Sequence, residues 1–178
     1  MTARARAVLL RLVIVIGASV GGFILLQEPA RWLETHAALG LLQPFAGDRL
    51  TSILGTSIVV IPLHGLPFTV EVTPSCSALA SILTLSCLAT VLPRTTRTRR
   101  LAAVSAAIAT VVLGNIVRIA ASVGVGVLAG RSSLILFHDW VGSMFSFAYT
   151  LGGYVLMLYI VLPKIDRKRE APVHAQLA

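Results

Sequence analysis

Long apolar runs separated by short clusters of arginine and lysine constrain this chain more than any other feature of its sequence. Hydrophobic residues make up 56% of its 178 residues, and charged residues only 12%. A soluble domain carries about 25% charged residues. The sequence therefore predicts an integral membrane protein, because a spanning helix needs about 20 predominantly apolar residues and several stretches approach that length.

The apolar stretches predict four transmembrane helices within a single membrane domain that covers residues 1–170. The predicted spans are residues 7–26, 75–92, 101–121 and 139–162. The third apolar region continues to Gly130, and the sequence leaves open whether it is one bent helix or a helix followed by an interfacial segment. Residues 171–178 are expected to form a disordered cytoplasmic tail.

The extracytoplasmic segment predicted between the first two spans, residues 27–74, contains two different patterns. Residues 29–42 mix apolar and charged side chains, which is typical of an amphipathic helix on a membrane surface. Residues 58–61 are apolar and β-branched, and residues 68–73 alternate between apolar and polar. These two strands around a turn at Gly65 predict a β-hairpin. The expected fold class is therefore an all-α integral membrane protein with a short extracytoplasmic β-hairpin before the second helix.

The formal net charge of +8 comes from the basic clusters between the apolar stretches. This distribution places most basic residues on the inner side of a four-span protein, so it predicts a plasma-membrane protein with both termini cytoplasmic. A nucleic-acid partner is not expected, because no basic patch is interleaved with aromatic residues. The inner group is Arg4, Arg6, Arg94, Arg97, Arg99, Arg100, Lys164, Arg167, Lys168 and Arg169, and the outer group is Arg31, Arg49, Arg118 and Arg131.

The two cysteines, Cys76 and Cys87, lie on one predicted helix and are separated by roughly 16 Å along its axis. That separation excludes a disulfide between them. Thr73 and Pro74 form a predicted helix start, so Cys76 falls in the first turn, where unpaired N–H groups and the helix dipole stabilise a thiolate. Cys76 is therefore a candidate nucleophile, with a small buried hydrophobe as the alternative. Cys87 lies mid-membrane and is expected to be inert.

Two further reactive side chains are predicted at the same extracytoplasmic face. Arg118 lies near the outer end of the third span, where a guanidinium should face protein or water. It is a candidate oxyanion or carboxylate clamp, or else a snorkelling interfacial arginine, and Asn115 shares its helix face. His138 precedes the fourth span and is a candidate general acid or base, or an interfacial anchor. Asp139 follows it, although adjacent residues on a helix do not face each other.

The convergence of these residues on one membrane face distinguishes two classes of function. A transporter subunit or an assembly factor, the non-enzymatic alternative, would place polar residues along a path across the bilayer. Here the polar residues are predicted at one face, which favours an enzyme. The four histidines show no metal-ligand spacing, and neither a metal nor a cofactor is expected.

Three short motifs in this chain resemble those of the exosortase and archaeosortase family. Residues 74–79 read Pro-Ser-Cys-Ser-Ala-Leu, where the family has (A/P)-x-C-S-(G/A)-L. Residues 115–118 match N-x-x-R, and residues 138–142 match H-D/E-x-x-G. The resemblance covers roughly residues 55–160. Ala78 stands where many members have glycine, and the chain is a compact form that lacks the additional spans of larger members.

The resemblance implies a membrane-embedded cysteine peptidase or transpeptidase. Its partners would be membrane lipid and secreted proteins that carry a C-terminal sorting signal made of a short motif, a hydrophobic helix and a basic tail. Cys76 would form a thioacyl intermediate, Arg118 would stabilise the oxyanion and His138 would protonate the leaving amine. The supporting residues would be Asn115, Asp139 and Ser77. Hydrolysis and transpeptidation both stay open, and a degenerate member that only binds its target is a further alternative.

Overall fold

The computed structural model describes residues 3–53, 55–91 and 96–162. Helices make up most of these residues, as the sequence predicts. The helices are α1 (Ala3–Ala46), α2 (Leu79–Val91), α3 (Arg97–Leu136) and α4 (Gly142–Val161), and a π-helical turn (Phe137–Val141) joins the last two. The strands are β1 (Leu50–Ile53), β2 (Ser57–Val60) and β3 (Phe68–Glu71). The tail predicted at residues 171–178 lies outside the described residues.

α1 is one helix that runs through both the first predicted span and residues 29–42. The separate surface helix suggested by the sequence is therefore not formed. The reason lies in which face turns inward: Arg31 and Glu34 are buried, whereas Trp32 and Leu33 are 51% and 58% exposed. Because Arg31 and Glu34 form hydrogen bonds with Val72, Glu71 and Ala78 inside the protein, this part of α1 can present apolar side chains outward.

The three strands form one antiparallel sheet in the order β1-β2-β3. The β2–β3 pair is the predicted hairpin, and its register places Ile58 opposite Val70. β1 was not predicted, because Leu50–Ile53 is short and has apolar residues only at its ends, with no alternation to indicate a strand. The loop after β2 docks on α3, since the Leu63 N–H donates to the Val127 carbonyl at 2.8 Å.

α3 reverses direction at a single residue within its bounds, and its last residues continue through the π-helical turn into α4, so that the two helices form a hairpin. Gly130 adopts φ 80° and ψ −177°, and the chain is helical on both sides of it. Positive φ at this value favours glycine, because a Cβ would clash with the backbone. The third apolar region is therefore helical up to its end and then reverses. Contacting pairs lie nearly symmetrically about the turn: Gly126 with Leu134, Arg118 with Gly142, Gly114 with Tyr149, and Ala107 with Gly153.

Two helical stretches among the described residues are long and apolar enough to cross a membrane, namely Val13–Arg49 and Arg97–Val161. The second stretch reverses direction at Gly130 and so contains two antiparallel helical segments. α2 has only 13 residues, about 20 Å by helical rise, and does not reach that length. The structure therefore supports a membrane protein, while the four crossings stay a prediction.

Buried apolar residues form two clusters with a polar layer between them. Along α3, the first cluster includes Ala103, Ala107 and Val111, and the second includes Val123 and Val127. The first cluster joins α3 to α2 and α4, whereas the second joins it to α1 and the sheet. The layer between them contains Asn115 and Arg118, which are 0% and 6% exposed.

Candidate active site

Cys76 lies in a one-turn 3₁₀ helix, Pro74–Cys76, and not in the first turn of α2. Ser77 is extended, with φ −81° and ψ 145°, and α2 begins only at Leu79. Thr73 and Pro74 do begin a helical turn, with Thr73 as its N-cap and Pro74 at its start, but this turn ends at Cys76 and does not continue into α2. α2 has its own start, where the Ser77 hydroxyl accepts the Leu79 N–H and a carboxylate from α1 accepts the Ala78 N–H. The α2 dipole therefore does not act on Cys76 as the sequence suggested.

Cys76, Arg118 and His138 come together at this turn, as predicted. The Cys76 Sγ lies 3.2 Å from the His138 Nε2, although 62 residues separate them. The Arg118 guanidinium NH2 lies 3.2 Å from the same His138 nitrogen. Each residue comes from a different element, so the site depends on how the elements pack.

The contacts of His138 determine where its proton lies. A guanidinium N–H can only donate, so the Nε2 facing Arg118 must carry the lone pair. The other ring nitrogen, Nδ1, lies 3.2 Å from the Asp139 Oδ1 and donates to it in this tautomer. The lone pair of His138 Nε2 therefore points at the hydrogen-bonding groups of Cys76 and Arg118, as in a base that accepts a thiol proton.

The contact between His138 and Asp139 occurs despite the rule that adjacent helical residues do not face each other. Both lie in the π-helical turn Phe137–Val141, where the regular helical spacing of side chains is interrupted. The Asp139 side chain is 64% exposed, so water weakens this hydrogen bond. Asp139 can fix the tautomer of His138, as expected of a supporting residue, without contributing much stability.

Arg118 is buried and held by the turn that carries Cys76. Its NH1 donates to the Cys76 carbonyl at 3.4 Å and to the Asn115 Oδ1 at 3.5 Å. Asn115 donates to the same carbonyl through Nδ2 at 3.0 Å. Within the described chain, the Arg118 Nε is buried without a hydrogen-bond partner. The snorkelling alternative does not fit these contacts, because the guanidinium is turned into the protein.

Gly142 allows the Arg118 side chain to pass against α4. A Cβ at Gly142 would lie 3.0 Å from the Arg118 Nε and 3.4 Å from NH2. Contacts this short require the guanidinium to move. The glycine that ends the His138–Gly142 motif is thus explained by the bulk of the arginine beside it.

The chain matches the family described as transmembrane exosortase (Exosortase_EpsH) over residues 4–158, a stretch that includes Cys76, Arg118 and His138. The chain belongs to this family. No curated protein and no solved structure matched it. Membership confirms the resemblance seen in the three motifs and indicates, as a general class, a membrane-embedded cysteine transpeptidase that acts on secreted proteins with C-terminal sorting signals.

Two residues of this exosortase site were missed by reasoning from sequence. Tyr149 donates its hydroxyl to the Asn115 Oδ1 at 2.9 Å, which fixes the orientation of the amide. Glu34 of α1 is 4% exposed, and its Oε1 accepts the Ala78 N–H at 2.9 Å. No signal in the sequence indicated Glu34, because it stands near Glu28 and Arg31 in a segment with the pattern of an amphipathic surface helix.

The remaining cysteine and histidines lie apart from these contacts. Cys87 contacts the Ser19 hydroxyl at 2.7 Å, on the side of α2 that faces α1. His36 stacks on Trp32 with ring centroids 4.2 Å apart. His64 lies in the loop between β2 and β3.

Proposed function

We propose that this exosortase cleaves C-terminal sorting signals of secreted proteins at the extracytoplasmic membrane face through a thioacyl intermediate. The observation that carries the proposal is the 3.2 Å contact between the Cys76 Sγ and the His138 Nε2, next to the buried guanidinium of Arg118. A nucleophile within hydrogen-bond reach of a base, with the base oriented by a third group, is the arrangement that nucleophilic catalysis requires.

The reaction begins when His138 Nε2 takes the thiol proton of Cys76. The thiolate attacks the scissile carbonyl carbon, and the carbonyl electrons move to oxygen to give a tetrahedral oxyanion that Arg118 stabilises. As the carbon–nitrogen bond breaks, His138 returns the proton to the leaving amine. The thioester on Cys76 is then released by an acceptor amine, which gives transpeptidation, or by water, which gives hydrolysis.

Arg118 suits the oxyanion role because its guanidinium is already desolvated. In a site from which water is excluded, a charge–charge interaction is worth far more than in bulk water. One terminal nitrogen of Arg118 donates to the Cys76 carbonyl at the long distance of 3.4 Å, and the other lies 3.2 Å from the His138 Nε2. A modest shift of the guanidinium brings these donors onto an oxygen that develops beside Cys76.

The arrangement of polar side chains favours this enzyme over a transporter subunit. Where α2, α3 and α4 pack together, the buried cluster is apolar and includes Leu85, Val111 and Met157. A transport path would need polar groups there. The buried charged residues among the described ones, Arg31, Glu34 and Arg118, lie outside this cluster.

The proposed topology has four spans, both termini in the cytoplasm, and the site near the extracytoplasmic surface of the plasma membrane. A substrate anchored by its own C-terminal helix would present its cleavage site at that depth, which raises its effective concentration. Reporter fusions after Gly65 and after Arg131 should report outside, and fusions after Arg97 and at the C-terminus should report inside. Reporters after Arg97 and Arg131 on the same side would contradict this topology.

The function is tested by replacing each cysteine in turn. Cys76→Ala should abolish processing of a co-expressed secreted protein that ends in a short motif, an apolar helix and a basic tail. Cys87→Ala, which removes the other thiol from the same helical region, should leave processing unchanged. Gel mobility of the substrate measures the result. Processing at the wild-type level by the Cys76→Ala protein would exclude a cysteine nucleophile.

A further inference from the structure

We infer that Glu34 is a positioning residue of this site, which holds the segment carrying Cys76 and supplies the buried negative charge that balances Arg118. The inference rests on the proposed function and assigns α1 a part in it. None of the three motifs includes a residue of α1. The structure nevertheless places a buried polar face of α1, which includes Arg31, Glu34 and Thr35, against the site.

Glu34 forms a hydrogen bond at the end of the segment that carries Cys76, residues 73–78, here called the cysteine segment. The Glu34 Oε1 accepts the Ala78 N–H at 2.9 Å, two residues after Cys76. The Ala78 N–H lies at the beginning of α2, where backbone N–H groups lack partners within the helix. Glu34 therefore fixes the point at which the extended Ser77 leads into α2.

A second contact from α1 holds the other end of the same segment. Arg31 lies one turn before Glu34, and its Nε donates to the Val72 carbonyl. Its two terminal nitrogens pair with Glu28 at 2.7 Å and Glu71 at 2.8 Å. α1 thus forms hydrogen bonds with the chain at Val72 and at Ala78, on both sides of the turn that carries Cys76.

Burial makes the charge of Glu34 important as well. Glu34 and Arg118 are 4% and 6% exposed, and both contact the same short segment, Glu34 at the Ala78 N–H and Arg118 at the Cys76 carbonyl. A buried guanidinium is costly unless an opposite charge accompanies it. Asp139, the other carboxylate at the site, contacts the imidazole and is 64% exposed. Among the described residues, Glu34 is therefore the buried carboxylate available to balance Arg118.

Two buried polar atoms of this arrangement have no hydrogen-bond partner among the described residues, which indicates a site that is completed by substrate. In the described parts of the chain, the Glu34 Oε2 and the Arg118 Nε are buried side-chain atoms without a hydrogen-bond partner. Unpaired buried polar groups of this kind are costly in a resting protein and are found at functional sites. This carboxylate can keep Arg118 in place while the guanidinium turns toward the oxyanion.

The two roles of Glu34 are separable by substitution in a Cys87→Ala background, where Cys76 is the only thiol. Glu34→Gln keeps an oxygen that accepts the Ala78 N–H but removes the charge. It should leave the rate of Cys76 alkylation within about twofold and lower kcat for processing about tenfold, with KM unchanged. Glu34→Ala removes both and should slow alkylation about tenfold and processing about 100-fold.

Glu28→Ala is the matched control, because Glu28 is a carboxylate on the same helix whose side chain is 67% exposed. It should change neither rate, since Arg31 keeps its contact with Glu71. Wild-type alkylation and processing by Glu34→Ala would overturn the inference, and wild-type kcat in Glu34→Gln would overturn its charge component. Should Glu34→Ala fail to fold, the nearly isosteric Glu34→Gln decides. Alkylation of Cys76 needs no turnover, so this result stands apart from the fate of the proposed function.

Discussion

The two halves of the candidate site are held in place in different ways. Arg118 lies on α3 and His138 lies in the π-helical turn that leads into α4, and both belong to a continuous, closely packed helical hairpin. Cys76 lies on a single 3₁₀ turn followed by an extended residue, and side chains from α1 and α3 hold that turn. A helical scaffold therefore carries the groups that handle protons and charge, whereas a short non-α segment carries the nucleophile.

This contrast determines how far a disturbance should spread. In the hairpin, a small change in side-chain volume at one contact shifts two long helices, because close-packed interiors transmit strain. In the cysteine segment, the loss of a contact between two of its own side chains leaves the backbone held from α3, since Asn115 and Arg118 both donate to the Cys76 carbonyl. Substitutions in the hairpin should therefore have larger effects than matched ones in the segment.

Among the substitutions that test this comparison, the largest effect is expected at Arg118. Arg118→Lys keeps a positive charge but loses the planar set of donors that reaches both the Cys76 carbonyl and His138. Processing should fall by about 10²–10³-fold, as for the loss of an oxyanion donor. Initial rates of substrate cleavage measure it, with Arg131→Lys at the exposed tip of the same hairpin as the control. A loss of less than about tenfold would remove Arg118 from the oxyanion role.

The next largest effect is expected at Gly142. Gly142→Ala places a Cβ 3.0 Å from the Arg118 Nε and should displace the guanidinium, lowering kcat about 10- to 100-fold. Gly152→Ala on the same helix is the control, because a Cβ there meets nothing within 4 Å. Equal activity in the two variants would show that Arg118 has room to adjust and that the hairpin is less rigid than its packing indicates.

A smaller effect on activity, but a clear one on stability, is expected at Gly153. Its added Cβ would lie 3.1 Å from the Ala107 carbonyl oxygen and 3.2 Å from Val111, so α3 and α4 must separate. Gly153→Ala should lower stability by about 1–3 kcal/mol, whereas Gly152→Ala should be neutral or stabilising. Thermal unfolding in detergent compares the two. Destabilisation by both variants would trace the effect to the membrane face of α4 instead of the helix contact.

The smallest effect is expected in the cysteine segment itself. The Thr73 Oγ1 lies 3.2 Å from the Cys76 Sγ, and Thr73→Val removes that contact with little change in shape. The rate of processing should fall only about two- to fivefold. Thr69→Val on the exposed side of β3 serves as the control. A loss above tenfold would reverse the comparison and make the segment the more sensitive half.

Sequence reasoning identified the parts of the site that short motifs and apolar patterns encode. Cys76, Arg118 and His138 each stand in a local motif, and their predicted convergence is seen in the structure. The β2–β3 hairpin was predicted because residues 68–73 alternate clearly. The motifs and the hairpin depend on residues close together in the chain. The convergence of the three motifs followed from the predicted topology, which placed all three at one membrane face.

The features that were missed depend on contacts between distant residues. α2 begins later than Thr73 and Pro74 indicated, because Glu34 caps it from another helix. The polar face of α1 looked like a water-facing surface, although it pairs with Glu71 and with the backbone of Val72 and Ala78. The local sequence does not show which distant residues a segment will contact. Both errors, the start of α2 and the water-facing surface of α1, have this cause.

The one-residue turn at Gly130 limits how the length of this chain can change. A residue inserted within α3 between Arg118 and Gly130 would rotate everything beyond it by about 100°, turning His138 away from Cys76. A loop inserted at Gly130 itself would leave the helices on either side free to pair in their present register. Relatives that differ in length between the arginine and histidine motifs should therefore carry their extra residues at the tip of the hairpin, where insertions leave both helical faces undisturbed.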